Sequence, residues 1–167
     1  RALSGAWSAG HFIIMKAIDK NMVTEITISY KPKFDIAERP VVRTGADALN
    51  QFILGFNRET MMIQEEFLVL YLNRANAVLG LFKASKGGLT GTVADIRLIL
   101  SVGLKLLATS VILAHNHPSG NLKPSLADQE LTGKLYEAGR LMDIKVVDHL
   151  IVSPTGGCYS FADNGLL

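Results

Sequence analysis

Two histidines at the end of an apolar run constrain the fold of this chain more than any other feature. His115 and His117 follow the run Ser110–Ala114, which we expect to be a buried strand. Side chains two residues apart on a strand point to the same face of a sheet. Both imidazoles can therefore reach a single point at the mouth of the sheet.

A carboxylate follows at the start of the next predicted helix. Asp128 comes after the turn-rich loop 118–124, which is bounded by Pro118 and Pro124. Two neutral imidazoles and one carboxylate form a three-ligand zinc site with an open fourth position, which is typical of catalytic zinc. The sequence therefore predicts that His115, His117 and Asp128 bind Zn²⁺, and that a stiff surface loop sets the distance between the ligands.

Ser125 has two possible roles. Ser125 and Asp128 have the spacing of a capping box, and Pro124 suits a helix entry. The hydroxyl could instead bond to a metal-bound water or stabilise a developing oxyanion. The spacing does not decide between a structural and a catalytic serine.

A hydrolytic zinc site also needs a proton acceptor. Glu65 and Glu66 stand directly before the apolar run Phe67–Leu72. Adjacent residues on an extended segment point to opposite faces, so only one of the two can face the metal. The alternative is a pair of solvated charges flanking a strand, which is the commoner situation.

Other polar residues have simpler interpretations. Asp148 and His149 lie on a predicted strand, where one could support the metal ligands, although an ordinary strand face is the commoner role. Asp95 is expected to cap a helix. Cys158 is expected to be a small packed residue rather than a nucleophile.

Three other metal-dependent classes fit this sequence poorly. HNH nucleases place their histidines much further apart than His115 and His117. Zinc deaminases need a pair of cysteines, and this chain has one cysteine. The His-Glu-x-x-His helix of many metalloproteases is absent from the sequence.

Composition excludes few partners. The formal net charge of +2 over 167 residues is too weak to indicate nucleic acid, so association with DNA is possible but unsupported by charge. A single cysteine fits a reducing cytoplasm. No apolar stretch is long enough to span a bilayer. We therefore expect a cytoplasmic protein without membrane contact, and its oligomeric state is left open.

Strands and helices alternate along the chain, which predicts a mixed α/β class. We expect a leader over residues 1–20 that is disordered or of cloning origin, an N-terminal strand, linker and short helix over 21–59, and a main domain over 60–167. The periodicity predicts strands over 24–30, 67–72, 77–82, 110–114, 145–152 and 159–161, and helices over 46–56, 95–107 and 126–142.

The motifs also resemble a known family. His115-x-His117, seven residues, Ser125, two residues and Asp128, with an upstream glutamate, resemble the JAMM motif of the JAB/MPN metalloprotease superfamily. The wider context resembles the bacterial RadC-like family over roughly residues 60–167. This similarity is carried by the segments 65–73, 87–93, 114–120, 148–149 and 159–162.

The resemblance implies a JAB fold, a curved mixed sheet flanked by helices on both sides and distantly like cytidine deaminase. It implies that His115, His117 and Asp128 are the zinc ligands, that Ser125 is the motif serine, and that Glu65 matches the motif glutamate better than Glu66. The implied activity is hydrolysis of peptide or isopeptide bonds by metal-activated water, on a peptide or protein substrate still unknown. The alternative is an accessory protein of DNA repair or mobile elements with a vestigial zinc site.

Overall fold

A computed structural model describes residues 30–31, 35–87 and 94–167 of the chain. The predicted leader 1–20 and nearly all of the predicted strand 24–30 lie outside these residues. Within them, five strands and three α-helices follow a short 3₁₀ turn at Ile36–Glu38. In chain order these are α1 (Gly45–Gly55), β1 (Glu66–Leu72), β2 (Val78–Lys86), α2 (Ile96–Leu106), β3 (Ser110–Asn116), α3 (Leu126–Leu141), β4 (Lys145–Val152) and β5 (Cys158–Ser160).

The strands form one open mixed sheet in the order β2-β1-β3-β4-β5. β1 pairs antiparallel with both β2 and β3, β3 pairs parallel with β4, and β5 returns antiparallel to β4. The parallel pair requires a crossover, which α3 supplies. This architecture confirms the predicted α/β class and is consistent with the JAB/MPN fold.

The central strand β3 has both faces covered. Its seven residues are all buried, because α1 packs on one side of the sheet and α2 and α3 pack on the other. Val111, Leu113 and His115 face the core formed with α2 and α3, whereas Ile112 and Ala114 face the core under α1. The alternation of a strand thus places His115 on the face that α3 covers.

The three helices begin and end within one residue of their predicted bounds. The Asp95 side chain accepts from the Arg97 N–H at 2.9 Å and caps α2, as expected. α3 ends at Leu141, one residue before the predicted bound, and Met142 is its C-terminal cap and is 45% exposed. The last turn of α3 lies so close to the chain entering β4 that a Cβ on Gly139 would meet the Ile144 carbonyl oxygen at 2.4 Å.

None of the helices among the described residues combines the length and the apolar character that crossing a bilayer needs.

Candidate metal centre

The end of β3 brings the two motif histidines together. The His115 ring is buried and the His117 ring is partly exposed, and their Nε2 atoms lie 2.9 Å apart. The Nε2 atom of His115 lies 3.3 Å from Asp128 Oδ1, and that of His117 lies 3.6 Å from Asp128 Oδ2. These three side chains form a cluster able to hold a metal ion.

The separations between the donor atoms fit a tetrahedral ion. Ligands about 2.0–2.1 Å from zinc at tetrahedral angles lie roughly 3.3 Å from one another. The two Nε2 atoms lie 2.9 Å apart, and His115 Nε2 lies 3.3 Å from Asp128 Oδ1, so both separations are close to that value. The 3.6 Å separation from His117 Nε2 is to the other carboxylate oxygen, Oδ2. The donor set of two imidazoles and one carboxylate suits zinc chemically.

The hydrogen bonding of His117 leaves its Nε2 atom free to bind a cation. His117 Nδ1 lies 2.5 Å from the Asn121 carbonyl oxygen, which can only accept. The ring therefore donates through Nδ1, and the lone pair of a neutral His117 lies on Nε2. The hydrogen bond to Asp128 raises the pKa of His117, while burial partly opposes this, so a metal ion must displace a proton here at low pH.

Asp128 stays ionised in this setting. Burial on its own would raise the pKa of Asp128, but its close contacts with the His115 and His117 imidazoles, together with the hydrogen bond from the Ser125 hydroxyl, hold it far below its usual range. The Asp128 carboxylate and the Nε2 atoms of the two imidazoles thus converge on one point. Mutual repulsion of these groups is relieved by a cation between them.

Ser125 forms the predicted capping box with Asp128. The Ser125 N–H and hydroxyl both donate to Asp128 Oδ2, at 2.7 and 2.6 Å. In return, the Asp128 N–H donates to Ser125 Oγ at 3.1 Å. The cap therefore fixes the rotamer of the candidate ligand while leaving Oδ1 directed at His115.

We expect Ser125→Ala to cost stability and also metal affinity. Losing a capping side chain costs about 1 kcal/mol of unfolding free energy, and here it also frees the Asp128 carboxylate. Thr44→Ala is the matched control, since Thr44 and Asp47 form the same capping box on α1. Denaturant unfolding and metal titration of both variants test this. Equal metal affinity in the two variants would contradict the prediction.

The adjacent glutamates have different surroundings. Glu66 is 4% exposed, and its carboxylate accepts from the Asn57 N–H at 3.1 Å and lies 3.8–3.9 Å from Lys83 and Lys86. Glu65 instead interacts electrostatically with His115, His117 and Asp128. The two side chains therefore serve different parts of the molecule, and Glu65 is the one near the cluster.

The protonation behaviour of Glu65 suits a proton acceptor. Burial raises the pKa of Glu65, and the neighbouring His115 and His117 only partly offset this. No hydrogen bond joins its carboxylate to another residue in the described part of the chain. A half-buried carboxylate with a raised pKa takes up a proton more readily than a solvated one.

Asn116, the residue between the histidines, holds the segment that carries Glu65. Its side chain is fully buried on the opposite face of β3. It accepts from the Glu66 N–H at 2.8 Å and donates to the carbonyls of Met61 and Gln64 at 2.8 and 3.0 Å. Asn116 lies between two histidines, beyond the predicted strand 110–114, and its role was not predicted from the sequence. Its burial is consistent with the rule that buried polar groups are hydrogen-bonded.

His149 lies directly behind His115. Its ring is fully buried, and its Nε2 atom is 2.8 Å from His115 Nδ1. Burial keeps the pKa of His149 well below its usual range. The expectation that an ordinary strand face explains this histidine was therefore wrong. β4 pairs parallel with β3 and places His149 beside Leu113. Leu113 and His115 are two residues apart on one strand and share a face of the sheet, so His149 lies on the same face as His115.

Asp148 has a structural role instead. It accepts from the N–H groups of His149 and Ala162, at 2.7 and 3.0 Å, and from the Ser160 hydroxyl at 2.7 Å. These bonds attach the end of the chain to β4. Cys158 is half-buried, and burial raises the pKa of its thiol to about 11, which agrees with a packed rather than a nucleophilic cysteine.

The loop between the ligands is a hydrogen-bonded turn. The Gly120 N–H donates to the His117 carbonyl at 2.9 Å, and Gly120 adopts a φ of +76°, which favours glycine. The Lys123 N–H donates to Asn121 Oδ1 at 3.0 Å. These contacts orient the Asn121 carbonyl toward His117, so the loop contributes directly to the metal centre.

Most of the chain matches a known protein family. The family model described as the RadC-like JAB domain matches residues 43–166. The chain belongs to the RadC-like JAB family. The cluster of His115, His117 and Asp128 thus lies within a RadC-like JAB domain.

Relatives of this RadC-like JAB domain occur in several bacteria. A UPF0758 protein of Flavobacterium johnsoniae is 50% identical over 102 residues, covering 61% of this chain and 44% of the relative. The UPF0758 protein YfjY of Escherichia coli is 45% identical over 106 residues, covering 62% of this chain and 64% of the relative. A UPF0758 protein of Haemophilus influenzae is 36% identical over 157 residues, covering 92% of this chain and 67% of the relative. The chain spans about half the length of most of the curated relatives that it matches.

Proposed function

We propose that this domain is a zinc-dependent metallohydrolase of the JAMM type that cleaves peptide or isopeptide bonds in a peptide or protein substrate. His115, His117 and Asp128 hold the ion. Glu65 acts as the general base and Ser125 assists at the oxyanion. The assignment of zinc rests on the donor set and its spacing.

One observation carries the proposal. A half-buried carboxylate with a raised pKa lies within electrostatic range of three converging metal donors. A structural zinc site is usually closed by four protein ligands. Three ligands with an acid beside them match the arrangement that hydrolytic sites need, in which one coordination position stays available.

The chemistry divides between the ion and the protein. A bound zinc ion polarises a carbonyl and makes water more acidic. The Glu65 carboxylate then takes a proton from the attacking water and returns it to the leaving amine. The Ser125 hydroxyl donates to the developing oxyanion by turning from Asp128 Oδ2, its present acceptor at 2.6 Å.

Amide hydrolysis suits these groups because its leaving amine must be protonated. A carboxyl group with a raised pKa carries its proton long enough to deliver it near neutral pH. The attacking water loses one proton to Glu65 and the amine gains that proton. The residue therefore returns to its starting state after each turnover.

Substrate profiling tests the proposal. The full chain loaded with zinc is incubated with a diverse peptide library and a set of isopeptide-linked peptides, and mass spectrometry identifies new amino termini. We expect cleavage that a chelator abolishes and that zinc restores. Equal product with the zinc-loaded wild type and the Glu65→Gln variant would contradict the proposal. Salt-sensitive DNA binding without any cleavage would favour the accessory-protein alternative instead.

A further inference from the structure

His149 occupies a closed aromatic cage behind the metal cluster. Phe161 stacks on its ring at 4.7 Å with an interplanar angle of 21°, and Phe67 meets it edge-on at 5.4 Å. The ring is fully buried. Its two nitrogens nevertheless each have one close partner, which are His115 on one side and Thr132 on the other. The cage therefore fixes the plane of the ring. What remains to be determined is which of its two nitrogens carries the proton.

Thr132 determines which nitrogen of His149 carries the proton. Thr132 Oγ1 lies 2.6 Å from the Asp128 carbonyl oxygen, which can only accept, so the hydroxyl proton points there. The same Oγ1 lies 2.6 Å from His149 Nδ1. Having no second proton, the hydroxyl must accept from His149 Nδ1–H. The lone pair of the neutral His149 ring then lies on Nε2.

The same reasoning continues to the metal ligand. His149 Nε2 accepts a hydrogen bond, and its partner at 2.8 Å is His115 Nδ1. His115 therefore donates through Nδ1 and has its lone pair on Nε2, the atom that lies 3.3 Å from Asp128 Oδ1. His117 reaches the same tautomer independently, through the Asn121 carbonyl.

We infer that Thr132 and His149 are positioning residues that hold His115 in the tautomer and orientation required for metal binding. The inference rests on the proposed metal site. The hydrogen-bonded chain begins at the Asp128 carbonyl, passes through Thr132 and His149, and ends on His115. It thereby joins two of the three ligands through residues of α3, β4 and β3.

Removing the Thr132 hydroxyl interrupts this series of hydrogen bonds most selectively. Thr132→Val keeps the shape of the side chain but removes the acceptor for His149 Nδ1–H. His149 then prefers the opposite tautomer, and His115 must turn an N–H toward the ion. We expect zinc and cobalt affinity to fall about 10- to 100-fold, the range found when partners of metal-binding histidines are removed. Thr132→Ser restores the hydroxyl and should restore affinity.

Two measurements test the inference. Competition with a chromophoric chelator gives the metal dissociation constants of the wild type, Thr132→Val, Thr132→Ser, His149→Phe and His117→Ala. The buried α3 variant Leu135→Val controls for a general loss of stability. Nitrogen-15 NMR of the metal-free protein, above the pH at which His117 titrates, reports the tautomer of His115. We expect Nδ1–H in the wild type and a shift toward Nε2–H in Thr132→Val.

The possible outcomes distinguish a failure of the positioning role from a failure of the metal site itself. If Thr132→Val binds metal as the wild type does while His117→Ala does not, the metal site stands and the positioning role is overturned. An Nε2–H tautomer of His115 in the metal-free wild type also overturns it. If His117→Ala itself keeps full affinity, the proposed metal site fails and the inference fails with it. Should His149→Phe not fold, the Thr132→Val and Thr132→Ser pair still decides.

Discussion

Replacing Glu65 by glutamine is expected to reduce turnover about 10²- to 10⁴-fold, the usual contribution of a general base, while zinc affinity changes little. Glutamine has the size of glutamate but cannot take up a proton at neutral pH. Glu65 is absent from the ligand cluster of His115, His117 and Asp128, so its replacement removes no metal bond. Rates with the best substrate from profiling and metal titration by chelator competition measure the two effects.

Glu66→Gln is the matched control for this variant. Glu66 is buried, accepts a backbone hydrogen bond from Asn57 and lies near Lys83 and Lys86. We therefore expect lower stability against denaturant but a turnover within a few-fold of the wild type. A large loss of turnover in Glu66→Gln with none in Glu65→Gln would reverse the assignment of the two glutamates.

Replacing His117 by alanine is expected to weaken zinc binding about 100-fold. Structural zinc sites bind with roughly 10–16 kcal/mol over four ligands, or about 3 kcal/mol for each ligand, and two ligands cannot hold a tetrahedral ion firmly. Glu137→Ala is a control that removes an exposed titratable side chain of α3 outside the cluster. Inductively coupled plasma analysis of dialysed protein and chelator competition measure the loss. Full metal retention in His117→Ala would refute the ligand assignment.

The strand and helix pattern of the main domain could be predicted from sequence because its signals are local. The apolar run 67–72, the run 110–114 and the strand Lys145–Val152 are each dense in residues that favour a buried strand. β4 has the predicted bounds, and β3 extends two residues beyond them to include His115 and Asn116. α3 ends one residue before its predicted bound, where its last turn lies close to the chain entering β4, a contact that periodicity does not indicate.

The candidate ligands were also predictable, since spacing on one strand and one helix start brings them within reach. His115 and His117 share a face of β3, and Asp128 lies in the first turn of α3. The choice between Glu65 and Glu66 depended on the resemblance to a family. Only the structure showed that Glu66 accepts a hydrogen bond from Asn57 and that Glu65 interacts electrostatically with His115 and His117.

The supporting residues of the metal centre were decided by tertiary structure alone. Thr132 is four residues from Asp128, but His149 is 34 residues from His115 and meets it only because β4 lies parallel to β3. A local sequence pattern can assign residues to one helix or strand, but it does not indicate which helices and strands become neighbours in the fold. Sequence by itself therefore determined which residues can bind the ion, and the order of strands decided which residues orient them.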